Sequence, residues 1–131
     1  MALRAPTSQL EHDGVVAAVG ALYRGKGLGV STNPGPAHSF SFASVYPDVK
    51  VGLRNGTCYL FEVETADSVN DVEAKQWKDY GRRFRFHLLV PGSHLARVKA
   101  LVTKHGVENV WLCAYRRAFP GPYSFSGLPS I

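Results

Sequence analysis

The sequence predicts a mixed α/β domain, three layers deep in the order α-β-α, with helices on both faces of one mixed sheet. Three observations lead there. Periodic helical and strand-like segments alternate in the order αβββαβαβ. An Asn55-Gly56 turn joins two of the strands as a hairpin. The second half reads β-α-β-α-β, which calls for parallel strands with right-handed crossovers.

Each element has its own signal. Residues 8–24 read as a helix, with Ser8 and Glu11 at capping-box spacing and Val15, Val19 and Leu22 on one face, stopped by Gly25 and Gly27. Leu28 to Thr32 is a short strand. Asn33 to Pro47 holds three prolines and is a long loop, a length that in a small domain usually serves function. Asp48 to Leu53 and Thr57 to Thr65 are the hairpin strands. A second helix starts at Ser68, with Asp71 at the capping position and Gly81 after its end at Tyr80. Phe84 to Val90 is a strand closed by Pro91. Ser93 to His105 is a third helix, with Leu95, Val98 and Val102 on one face and Gly106 beyond it. Asn109 to Tyr115 is the last strand, and Trp77 and Trp111 are read as core. The 131 residues make one domain, with a core over about 8–115 and an irregular tail over 116–131.

Composition narrows the class of protein. Fifteen Lys and Arg against ten Asp and Glu give a formal charge of +5, which favours an anionic partner. No apolar run approaches the roughly 20 residues of a membrane helix, and Met1 to Leu10 has no signal-peptide core. Cys58 and Cys113 lie far apart in strand-like runs, as reduced core residues of a cytoplasmic protein do. The five histidines share no metal-ligand spacing. Gly25-Lys26-Gly27-Leu28-Gly29 lacks the trailing Gly-Lys-Ser/Thr of a phosphate loop, and no serine lies in a Gly-x-Ser-x-Gly elbow.

The chemistry concentrates at Asp48 and at Glu62-Val63-Glu64. Residues two apart on a strand share a face, so Glu62 and Glu64 point together and repel unless a cation lies between them. Oxygen donors of this kind suit Mg²⁺ or Mn²⁺. The hairpin register decides whether Asp48 joins them. A two-residue turn sets Asp48 opposite Val63, on the wrong side of the sheet. A three-residue turn, Arg54-Asn55-Gly56 with Gly56 left-handed, sets Asp48 opposite Glu62. Only the second register sorts Val49, Val51, Leu53, Tyr59, Phe61 and Val63 onto one face, leaving the carboxylates and Lys50 on the other.

With Pro47-Asp48, the Glu62-x-Glu64 strand and this order of elements, the chain resembles the PD-(D/E)XK nuclease superfamily over roughly residues 8–115, and so a restriction-endonuclease-like fold. Gln76 and Tyr80 match the Q-x-x-x-Y pattern of RecB-like members. They share a helix face with Val69 and Val72, expected to be buried against the sheet. Glu11 matches the acid that the family often carries on its first helix, or else only caps that helix. The resemblance implies a metal-dependent DNA endonuclease that hydrolyses phosphodiester bonds, and the small size without a specificity domain suggests that it selects DNA by structure, such as branched DNA, as a homodimer. Asp48 and Glu62 would hold Mg²⁺ or Mn²⁺ with the Val63 carbonyl. The usual third residue is Lys and here it is Glu64, a departure shared with a subset of restriction endonucleases. Its substitutes are Glu64 as base, Lys50 from the neighbouring strand, or the metal unaided.

DNA contacts would come from Arg24, Lys26, Lys75, Lys78, Arg82 and Arg83, the Lys75, Lys78 and Arg82 set recurring at helical spacing. The loop with His38, Phe40 and Phe42 is suited to reaching a groove, stacking on a base or forming a homodimer surface. Two other readings stay open: an inactive nuclease-fold module that binds nucleic acid or a protein, and a Mg²⁺ phosphoesterase for small substrates.

Overall fold

The computed structural model describes residues 4–35, 40–43, 45–117 and 122–130. Three helices and six strands follow one another as α1 (Pro6–Arg24), β1 (Gly29–Thr32), β2 (Val49–Gly52), β3 (Cys58–Val63), α2 (Asp71–Arg83), β4 (Phe86–Pro91), α3 (Leu95–His105), β5 (Val110–Arg117) and β6 (Tyr123–Ser126). The strands form one mixed sheet in chain order, β1-β2-β3-β4-β5-β6. The β3–β4 and β4–β5 pairs are parallel and the others antiparallel.

The hairpin turn has the three-residue form. Leu53 faces Thr57 through its N–H, Gly56 sits at φ +87°, and Val49 pairs with Phe61. Gly56 adopts a left-handed conformation that costs a residue with a Cβ, so the turn and the register are set locally. One sheet face buries Val49, Val51, Phe61 and Val63 under α1 residues Val15, Val16, Val19 and Tyr23. The other face buries Leu60, Phe86, Leu88 and Val90 against Ala74 and Trp77 of α2 and Val98 and Leu101 of α3. Successive crossovers that step along the sheet in one direction place their helices on one face, so α2 and α3 lie together.

Several local expectations are corrected. α1 begins at Pro6 after Ala5, with no side-chain cap, so the Ser8–Glu11 capping box does not form. Proline at the first helical position needs no N–H partner and starts the helix instead. The buried face of α1 includes His12, Val16 and Tyr23, whereas Leu22 is 41% exposed. Asn70, not Asp71, caps α2, accepting from the Glu73 N–H at 2.9 Å after a single 3₁₀ turn at Ala66–Ser68. Gly81 does not end α2 but lies within it, where a Cβ would stand 2.0 Å from the Glu108 carbonyl oxygen. That glycine lets α2 approach the segment before β5. Val72 and Trp111 are 67% and 54% exposed, so neither belongs to the core, while Val69 and Trp77 do. The tail is not irregular throughout, because β6 pairs with β5 from Ala114↔Ser126 to Arg117↔Tyr123.

Of the long loop, Asn33 is a buried staple. Its side-chain amide donates to the Phe40 and Pro47 carbonyls at 3.0 and 2.9 Å and its Oδ1 accepts from the Phe40 N–H at 3.0 Å. Phe42 packs edge-on against Phe84 and under the Lys50 ammonium, so it turns inward rather than out to a groove or partner. His38 lies outside the described residues. Cys58 and Cys113 are both free thiols. No helix among the described residues is long and apolar enough to cross a membrane.

Candidate functional site

The register that buries Val49 and Phe61 brings Asp48, just before β2, opposite Glu62 on β3. Asp48 is fixed by two contacts. Its Oδ2 accepts the Val63 N–H at 2.7 Å, and its Oδ1 lies 3.1 Å from His12 Nε2. Asp48, Glu62 and Glu64 line one cavity of ≈ 310 Å³. α2 closes it with Glu73, Gln76 and Tyr80, spaced so that one helix face meets the carboxylates. Glu73 is buried, while Gln76 is exposed and forms the rim, which corrects the expectation of a buried Gln.

Arg4, ahead of α1, completes the wall. Its Nη2 donates to the Val63 carbonyl at 3.1 Å and lies 3.9 Å from Glu64 Oε1, and its Nε donates to Thr65 Oγ1 at 3.2 Å. Both the Arg4 and Glu64 side chains are only 5% exposed. A guanidinium in this position is a built-in cation among the acids.

The remaining carboxylates are poorly compensated. Burial, followed by the charges of Asp48 and Glu64, holds the Glu62 carboxyl well above the ordinary range. Burial pushes Glu64 up to about 8. Glu73 and Asp48 add to that rise, while a Ser68 hydrogen bond and Arg4 oppose it. Burial and Asp48 raise Glu73, against the pull of Arg4. His12 loses basicity through burial. It regains more from the hydrogen bond and charge of Asp48 and the hydrogen bond to Asp13, ending above its ordinary value. Glu64 Oε2 is buried without a hydrogen-bond partner, and the Tyr80 hydroxyl lies near Glu62 without a well-formed bond. Buried acids in this state gain stability from protons or from a cation.

The donors fit a hard divalent cation: carboxylate oxygens with one orphaned lone-pair site. They do not form a closed cage, for among the described residues no three His, Cys, Asp or Glu side chains stand together as a ready ligand group. Mg²⁺ does not need one, because it commonly keeps several waters and binds through one or two carboxylates.

Other expected residues stand elsewhere. Glu11 neither caps α1 nor lines the cavity. Its Oε2 accepts from the Tyr115 hydroxyl at 3.0 Å, and the same hydroxyl reaches the Glu64 carbonyl at 3.0 Å. The α1 residue that reaches Asp48 is the next one along, His12. Lys50 shares the sheet face of the acids, but its ammonium sits 5.2 Å from the Phe42 ring centre and does not line the cavity. Lys75, Lys78 and Arg82 fall on the side of α2 opposite Glu73, Gln76 and Tyr80 at 100° per residue. Arg82 pairs with Asp79 at 3.7 Å and Arg83 donates to the Ala43 carbonyl at 2.7 Å. Arg24 and Lys26 lie at the far end of the 19-residue α1, roughly 28 Å away from its start.

Sequence reasoning passed over His12, Arg4 and Glu73. His12 carried a signal, since it precedes Val15, Val16 and Val19 at helical spacing. Glu73 carried one too, at three and seven residues before Gln76 and Tyr80. Arg4 carried none, because only the path of the chain ahead of α1 delivers it. In comparisons with protein-family models, curated proteins and solved structures, nothing matches this chain.

Proposed function

We propose that this chain is a metal-dependent nuclease of the PD-(D/E)XK type, with a restriction-endonuclease-like three-layer fold, that hydrolyses phosphodiester bonds in DNA. One observation carries the reading: Asp48, Glu62 and Glu64 face one cavity, and burial with mutual repulsion leaves Glu62 and Glu64 seeking a positive charge. Asp48 and Glu62 would hold Mg²⁺ or Mn²⁺, which supplies Lewis-acid polarisation of the phosphate and a more acidic water. The Val63 carbonyl, which already accepts from Arg4, would join as a ligand through its second lone pair or in place of Arg4.

The chain's own groups divide the remaining work. His12 and the Val63 N–H fix both Asp48 oxygens, so the carboxylate is oriented before any ligand arrives. Glu64 lines the cavity and Lys50 does not, so Glu64 is better placed than Lys50 to act as general base once a bound cation favours its ionised form. Arg4 takes over the positive charge that the motif usually draws from Lys and counters charge developing on a phosphoryl oxygen. Duplex DNA is the proposed substrate, approached by exposed cations outside the cavity, and a homodimer would present two such sites for two strands. Branched DNA, selected by shape, belongs to the same proposal.

Cleavage of supercoiled plasmid in Mn²⁺ tests it, with Glu62→Ala as the paired variant. Nicking by the wild type that the variant lacks is the expected result. Absence of nicking in Mg²⁺ and Mn²⁺ alike refutes it. The Arg4 contacts favour a second reading, a module that binds nucleic acid without cutting, since an internal cation already occupies the Val63 carbonyl. Salt-dependent DNA retention without cleavage supports that reading.

A further inference from the structure

A second cavity, of ≈ 400 Å³, lies at the other end of the sheet, on the face that carries α1. Tyr59, His87 and Trp111 line it, and a cross-strand aromatic row continues inward from His87 to the buried Phe61. Phe61, His87 and Trp111 are direct partners across β3, β4 and β5, with Tyr59 beside them. The His87 ring stacks on Phe61 at 5.0 Å, meets Tyr59 edge-on at 5.1 Å and lies 6.4 Å from Trp111 at an interplanar angle of 31°. The far wall is the segment Gly127 to Ser130, pinned by Tyr23, whose hydroxyl donates to the Pro129 carbonyl at 2.8 Å.

Three features of this cavity have no use within the fold. The Trp111 indole is 54% exposed, although it lies next to a buried aromatic row. The Arg85 guanidinium stands 5.8 Å from the centre of that indole, at the cavity mouth, and has no carboxylate partner among the described residues. His87, only 6% exposed, lines the cavity with its Nδ1 buried and without a hydrogen-bond partner.

We propose that this aromatic cavity is a nucleotide-binding site, in which a nucleobase stacks on Trp111, offers its edge to His87, and leaves its phosphate to Arg85. The division of chemistry fits that class of ligand. A flat heteroaromatic ring gains from indole stacking whatever its sequence identity. Burial, together with the Arg85 charge, lowers His87 to about 4, so the imidazole is neutral at physiological pH and offers one donor and one acceptor. The guanidinium supplies the anion contact. The base comes either from a free mononucleotide or from an unpaired position in a nucleic-acid strand. The site stands apart from the acid cavity and does not depend on the nuclease reading.

The experiment uses the full chain with two probes, dAMP and a short labelled single-stranded oligodeoxynucleotide. Tryptophan emission is followed for both, and anisotropy for the oligonucleotide. The exposed Trp111 dominates the red edge of the emission, since Trp77 is buried. Saturable quenching by both probes assigns a nucleotide site; quenching by the oligonucleotide alone assigns an unpaired base in a strand. In either case Trp111→Ala weakens oligonucleotide binding about 10-fold or more. Because that ring is exposed its removal opens no core, and Arg85→Gln gives an independent loss that leaves the aromatic row intact. No quenching by either probe overturns the proposal. So does oligonucleotide affinity unaltered in both Trp111→Ala and Arg85→Gln.

Discussion

Replacing Glu64 by Gln keeps its size and removes its charge, and in the metal-free protein this substitution should stabilise the fold at alkaline pH. Glu64 is 4% exposed, and its carboxyl is held at about 8 against 4.5 in the unfolded chain. Below 4.5 both states carry the proton. Between the two values the folded state keeps a proton that the unfolded state has lost, so stability falls as pH rises and levels off above about 8. At about 1.4 kcal/mol per pH unit, that span corresponds to roughly 3–5 kcal/mol lost. Glu62, Glu73 and His12, all raised, act in the same direction and leave a residual slope in the variant, whereas His87, lowered to about 4 from 6.5, contributes stability that grows as pH rises to about 6.5 and opposes the fall below that point. Asp13 and Asp67, both lowered, act only under acid conditions, where their stabilisation is lost as pH falls. Urea unfolding in EDTA, followed by tryptophan emission from about pH 6.5, above the range in which His87 contributes, to about pH 8.5, measures the slope. The expected outcome is a falling wild-type stability, a shallower slope for Glu64→Gln, and a more stable variant at the alkaline end. Added Mg²⁺ should raise the wild type there by neutralising the same acids. A wild-type stability that is flat or rises with pH, or a variant less stable at about pH 8.5, would refute this account of the cavity's electrostatics.

Three further outcomes follow from particular contacts. His12→Ala removes the Asp48 clamp at 3.1 Å and should weaken Mn²⁺ binding about 10-fold to 100-fold by calorimetry; unchanged affinity would separate His12 from the site. Gly81→Ala places a Cβ 2.0 Å from the Glu108 carbonyl oxygen and should cost about 2 kcal/mol or more in urea unfolding, against the gain of up to ~1 kcal/mol that alanine brings to an unconstrained helix. A neutral or stabilising result would mean that α2 moves away from the β5 approach at little cost. Asn33→Ala removes the amide that bonds Phe40 and Pro47 and should cost about 2–4 kcal/mol, with earlier proteolysis within 33–47; equal stability and protease resistance would show that the loop is held by other contacts.

What the sequence determined by itself was local. Periodicity marked out the three helices and five of the six strands. The apolar alternation around Asn55-Gly56 fixed the hairpin register, because a slip of one residue would have moved every side chain to the other face. That register alone placed Asp48 opposite Glu62. The sixth strand was hidden, since Tyr123–Ser126 is short and half-exposed and becomes a strand by pairing with β5. The tertiary structure decided which charges surround the acids. Arg4 reaches Val63 across 59 positions, and Tyr115 reaches Glu11 across 104. It also turned Lys50 away onto Phe42, selected His12 rather than Glu11 for contact with Asp48, and made Gly81 a packing residue rather than a helix stop. Short-range spacing follows from backbone geometry and can be read along the chain. Contacts between distant segments depend on how whole elements pack, and no local pattern encodes them.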